Sequence, residues 1–226
     1  MMRVRGIILG CSIAVFSGVL LCWAVCAREL LPENRWFMSS EEASEERFAN
    51  QIEALRRGKG SVGLYDMVDV DEKVRRLAAI VQREQFPMET LSIMHGDASN
   101  ESIAHAADVP GLRELVLVNV DVDGQGMRAL SHAPTLERLA VVQTSIDSKD
   151  LKFLNTCSHL RSLTLYQSWP LSIDAKRKER YIAALCDLND LEKMQLGGNW
   201  LSDADIEELR RAMPEVEITR LMHSPY

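Results

Sequence analysis

From Val62 onward, apolar residues recur at offsets 0, 3, 5, 15 and 18 of a unit of about 24 residues. A period of that length marks supersecondary units stacked into an array. The first unit reads Val62, Tyr65, Met67, Leu77 and Ile80, the second Met88, Leu91, Ile93, Ile103 and Ala106, and the third Leu112, Leu115, Leu117, Met127 and Leu130. Leu136, Leu139, Val141, Leu151 and Leu154 make the fourth, and Leu191, Met194, Leu196, Ile206 and Leu209 the sixth. The fifth begins with Leu160, Leu163 and Leu165 and resumes at Ile182 and Leu185 after a seven-residue insertion. Offsets 3 and 5 alternate as on a half-buried strand, whereas offsets 15 and 18 share one face of a short helix. Each unit is therefore predicted to run strand, turn, helix. Offset 11 holds Ser99, Asp123, Asp147 and Ser202, whose side-chain oxygens can cap the first free N–H groups of that helix. One unit cannot bury its apolar face alone, but stacked units share a core and pair their strands in parallel.

The ends of such an array need covering. Residues 39–61 supply a helical cap: Ser39-Ser40-Glu41-Glu42 opens a helical stretch, and Ile52 and Leu55 precede Val62 as Ile206 and Leu209 precede Val216. Residues 62–226 form the repeat domain, with units starting at 62, 88, 112, 136, 160 and 191 and a closing strand from Val216. The insertion in the fifth unit runs from Trp169 to Arg180 and carries Lys176, Arg177, Lys178 and Arg180. A longer helix with a solvated basic face accounts for it, and a second binding site is the alternative.

Ahead of the array, Gly6 to Ala27 are 22 residues without a charge, preceded by the basic flank of residues 1–5. As a helix this segment is roughly 33 Å long, enough for a bilayer core. The positive-inside rule keeps Arg3 and Arg5 in the cytoplasm and places the chain from Arg28 on the far side, after a linker over 28–38. Val25-Cys26-Ala27 would serve as a signal cleavage site, giving a secreted protein. The apolar run exceeds the 7–15 residues of a signal core, which favours a retained single-pass anchor.

The segments Leu112–Leu117, Leu136–Val141, Leu160–Leu165 and Leu191–Leu196 resemble the LxxLxL core of leucine-rich repeats. Asp123–Leu130 and Ser202–Leu209 resemble the helical half of the ribonuclease-inhibitor-like subclass. The resemblance covers about 160 residues and implies an α/β leucine-rich-repeat solenoid, with short parallel strands on a concave face, helices on a convex face, and a protein-binding role. It departs from the family at the asparagine ladder. Only Asn199 stands at offset 8, with Thr144 and Ser168 as weaker substitutes, while Gly96 and Val120 supply no such group.

Charge and chemistry narrow the reading. Two of the 26 basic residues, Arg3 and Arg5, precede the apolar run, so 24 remain against 33 acidic ones. That balance excludes a nucleic-acid partner, whose phosphates need a basic surface. The five histidines are spread singly, and no phosphate loop, nucleophile elbow or zinc spacing occurs, so neither an enzyme nor a cofactor is expected. Gly124-Gln125-Gly126 stands at a helix start, where turn geometry explains it. Cys157 and Cys186 are read as two buried thiols rather than a disulfide.

What remains is a surface. Strand alternation turns offsets 4 and 6 away from the core, and Met94, Val116, Val118, Ala140, Val142, Thr164, Tyr166 and Gln195 fall in those columns. Neighbouring strands lie about 4.8 Å apart, so these positions form a continuous, largely apolar stripe with charges along one side. The sequence predicts that this stripe is exposed and docks a protein. Docking of a second copy, in a structural or envelope-organising protein, is the alternative.

Overall fold

The computed structural model describes residues 40–144, 146–167, 175–188 and 190–225. These form an α/β protein in which helices alternate with a seven-stranded parallel sheet, ordered β1 to β7 as in the chain. Ser44–Tyr226 make one compact unit. Helix α1 (Ser40–Arg56) leads to β1 (Ser61–Tyr65), α2 (Val70–Glu84), β2 (Thr90–Met94), α3 (Asn100–Ala107) and β3 (Glu114–Val118). Then come α4 (Gly124–Ala129), β4 (Arg138–Val142), α5 (Ser148–Leu151), β5 (Ser162–Gln167), α6 (Ala175–Cys186), β6 (Lys193–Gly198), α7 (Asp203–Ala212) and β7 (Glu217–Leu221). Short 3-10 turns extend α4 and α5.

Every repeat position read as core in units two to six is buried, from Met88 to Leu209. Ser99, Asp123, Asp147 and Ser202 each stand at a helix N-cap and accept a backbone N–H of the first turn. Strand register repeats too: Leu91, Leu115, Leu139, Leu163, Met194 and Ile218 are aligned across the sheet.

The first unit differs from its sequence reading. Val62 pairs with Leu91 and Leu64 with Ile93, so the unit is in phase from Lys59 and its core strand residues are Val62 and Leu64. Tyr65 is 46% exposed on the opposite face. The physical reason is alternation: once Val62 and Leu64 face the helices, Gly63 and Tyr65 cannot. Val74 and Leu77, not Leu77 and Ile80, then fill the helical core positions.

Three side chains tie successive units at their helix starts. Asp97 accepts the backbone N–H groups of Asp69 and Val70, each at 2.9 Å. Asp71 accepts the N–H and hydroxyl groups of both Ser99 and Ser102. Burial alone would raise its pKa, but these four hydrogen bonds outweigh it and hold the carboxyl below its usual value. Asn100 accepts the N–H groups of Asp123 and Gly126, at 3.1 and 3.0 Å. The glycines of the third unit therefore serve close approach rather than turn geometry. A Cβ at Gly124 would meet Asp150 Oδ1 at 2.2 Å, and one at Gly126 would meet Asn100 Oδ1 at 2.7 Å.

The turns that lack ladder asparagines are nonetheless regular. His95, Asn119 and Gln143 all adopt φ between 51° and 55°, and their N–H groups donate to Val118, Val142 and Tyr166 carbonyls at 2.8–3.0 Å. Thr144 does take part in a tie, accepting from Gln167 at 3.4 Å. Ser168 lies outside the described residues.

Helix α1 seals the first repeat with Phe48, Ile52 and Leu55. Its Glu45 carboxylate meets Lys73 Nζ at 2.8 Å and Arg76 at 2.9 Å, and the Lys73 side chain is only 1% exposed. Hydrogen bonds from Lys73 and Arg76 lower the Glu45 pKa. A carboxyl depressed in the folded state contributes stability above its unfolded pKa, and that contribution is lost as pH falls through the folded value. Amide exchange across residues 44–56 should therefore accelerate below about pH 4 before that of β3. Glu45→Gln should weaken this acid dependence, leaving the share of Glu84, whose carboxyl is also held low by its hydrogen bonds from Arg56 of α1. Equal acid profiles for the two proteins would disprove the coupling.

Candidate binding face

The helices of this unit bury their apolar residues in one cluster, together with Leu91, Leu115, Leu139 and their partners. The other sheet face carries a second cluster made of Val116, Val118, Ala140 and Val142, with Met94 and Tyr166 packed against it. The register joins these positions in two rows. Tyr65, Met94, Val118, Val142 and Tyr166 align in one, and Ser92, Val116, Ala140, Thr164 and Gln195 in the other. The predicted stripe residues thus share one face, and Thr164 Oγ1 donates to Gln195 Oε1 at 3.1 Å.

For the middle of the stripe the predicted exposure is not observed, whereas Met94, Tyr166 and Gln195 are partly exposed. Val116, Val118, Ala140 and Val142 are 0–4% exposed, and Thr164 is 6% exposed. Short β-branched and methyl side chains stand side by side at strand spacing and pack on one another. Accessible surface lies on the flanks, at Tyr65, Met94, Tyr166 and Gln195. Tyr65 is the residue that the sequence reading missed. The alternation of Val62 and Leu64 was its available signal.

Along the strand starts charged residues stand in two columns, and in the first of them the sign alternates from unit to unit. One column runs Glu89, Arg113, Glu137, Arg161, Glu192, and the next Thr90, Glu114, Arg138, Ser162, Lys193, Glu217. Arg113 pairs with Glu137 at 3.4 Å, Arg138 with Glu114 at 3.2 Å, Arg161 with Glu192 at 3.6 Å and Lys193 with Glu217 at 3.7 Å. Each exposed pair contributes about 1 kcal/mol or less. Together they neutralise this border, leaving apolar contact as its neighbour's main chemistry.

The basic insertion is divided differently. Trp169 lies outside the described residues. Lys176 and Arg180 are exposed on α6, whereas Lys178 meets Asp205 at 3.0 Å and Arg177 approaches Asp147 at 3.9 Å. Two of the four cations therefore hold neighbouring units together.

A cleft beside the first helix starts is lined by Asp69, Asp71, Glu72, Arg75, Asp97 and His105. Three of its carboxylates are committed: Asp71 and Asp97 accept the hydrogen bonds given above, and Glu72 pairs with Arg75 at 2.7 Å. Among the described residues no group of three His, Cys, Asp or Glu side chains is placed to hold a metal ion. Cys157 and Cys186 are free thiols, the former buried and pushed up to about 11 by desolvation. No helix among the described residues is long and apolar enough to cross a membrane, and segment 6–27 lies outside them. No protein-family model and no curated protein matches this chain.

Proposed function

We propose that this chain is a leucine-rich-repeat protein of the ribonuclease-inhibitor-like subclass, a non-enzymatic module that binds another protein on the sheet face opposite its helices. Segment 6–27 holds it in the cytoplasmic membrane and presents the repeats outside the cell's interior. The observation that carries the reading is the apolar layer of Val116, Val118, Ala140 and Val142, continuous in register and bordered by charges that pair with one another. A face of this kind favours association through apolar contact with a polar rim. The partner's contacts fall on Tyr65, Met94, Tyr166 and Gln195, with the buried valines as the floor that fixes them.

The test is affinity capture from native membranes with the full chain, compared with a Met94→Asp, Tyr166→Asp variant. Both side chains are partly exposed, so the variant should stay folded, while a carboxylate desolvated at the interface opposes binding. At least one protein retained by the native chain should be lost, with the melting temperature nearly unchanged. An identical set of captured proteins would move the site off this face.

A further inference from the structure

We propose that β7 is a guarded edge, at which Arg210 keeps a second copy of this chain from adding a strand to the sheet. Among the described residues β7 stands at the end of the strand order and pairs with β6 alone. In a parallel ladder the N–H and C=O of one residue face the same neighbour, and the next residue's face the other way. Glu217 donates its N–H to Glu192 at 2.9 Å. The odd-numbered residues of β7 are therefore turned to β6, and the backbone groups of Ile218 and Arg220 are turned outward.

An outward row of this kind is a template for another strand. Here the first of its two acceptors is taken. Arg210 on α7 donates from Nε and an Nη group to the Ile218 carbonyl, at 3.2 and 2.9 Å. Glu207 fixes the same guanidinium at 2.6 Å. A strand approaching from outside would have to displace a two-pronged, charge-assisted contact and pack against a cation.

A second device acts at Arg220. It aligns with Leu196, on the side where the other strands carry core residues, yet it bears a charge there and donates to the Leu201 carbonyl and to Asp203. Inward-pointing charge is a recognised way to blunt an edge strand. One outward group of the opposite edge is taken as well. Gly63 N–H, on the side of β1 turned away from β2, donates to Gln51 Oε1 of α1 at 3.3 Å.

The test uses the full chain in detergent micelles, with sedimentation equilibrium for mass, hydrogen exchange for location and thermal melting for fold. Native protein should show amide exchange at Ile218 and Arg220 that is independent of protein concentration. Arg210→Ala should self-associate at least tenfold more tightly and gain concentration-dependent protection at those two amides. Arg210→Lys keeps the charge but not the fork and should show a smaller rise of the same kind. It carries the test if the alanine variant melts below the working temperature. Folded variants that associate no more than the native chain, or that associate without protection at Ile218 and Arg220, would overturn the proposal.

Discussion

Leu139→Ala is expected to lower stability by about 2–5 kcal/mol, the cost of a cavity left where a Leu side chain was buried. Leu139 is 1% exposed and lies between Leu115 and Leu163 in the central strands. Its neighbour Arg138 is exposed, with its partner Glu114 at 3.2 Å, and Arg138→Ala should cost about 1 kcal/mol or less. Chemical denaturation of the two variants measures the difference. Equal losses would mean that the alternation along β4 does not separate core from surface. The loss should also extend to neighbouring strands, because each unit of a stacked array is stabilised by those beside it.

Tyr181→Ala should be as damaging, at about 3–5 kcal/mol. Tyr181 is fully buried on α6, donates its hydroxyl to the Ile146 carbonyl, and packs its ring 5.4 Å from that of Trp200. One side chain therefore bridges the fourth, fifth and sixth units. Tyr181→Phe keeps the ring and strands the carbonyl, and should cost about 1–2 kcal/mol. If the phenylalanine variant loses as much as the alanine variant, the hydroxyl rather than the ring is the tie. If neither loses more than about 0.5 kcal/mol, the bridge is not structural.

Tyr181 also shows where the sequence stopped being legible. The period located Ile182 and Leu185 after the insertion, because those side chains repeat a position occupied in every other unit. Tyr181 stands one residue before Ile182, at a position that is buried in the other units but is held there by Lys73, Ser102, Gly126, Asp150 and Asp205, so no apolar repeat marks it. Its ring meets Trp200 and its hydroxyl the Ile146 carbonyl of the neighbouring units, and no apolar period encodes a contact made once. The first unit failed for a related reason: Val62, Tyr65 and Met67 match the spacing as residue types and mask the alternation of Val62 with Leu64, and the pairing of Val62 with Leu91 shows that they are three positions out of phase. The inter-unit ties of Asp71, Asp97 and Asn100 were hidden too, since they replace a ladder expected at another offset.

The stripe was legible as a face and not as an environment. Alternation places Val118 and Val142 away from the helices whatever surrounds them, but their burial depends on the width of the apolar layer and the size of its neighbours. Tyr166 follows the same alternation and remains partly open. The charges beside it were visible in the sequence, and their pairing depends on the register of five strands.

That alternating border restricts how the array can change in copy number. Loss of residues 136–159, one whole unit, would bring Arg113 beside Arg161 and put like charges where the present chain pairs opposite ones. Loss or duplication of two adjacent units would preserve the alternation. In a protein whose apolar positions are interchangeable from one repeat to the next, the sign of a single surface column gives the repeats a parity, and gains and losses in even steps are the ones that keep opposite charges adjacent.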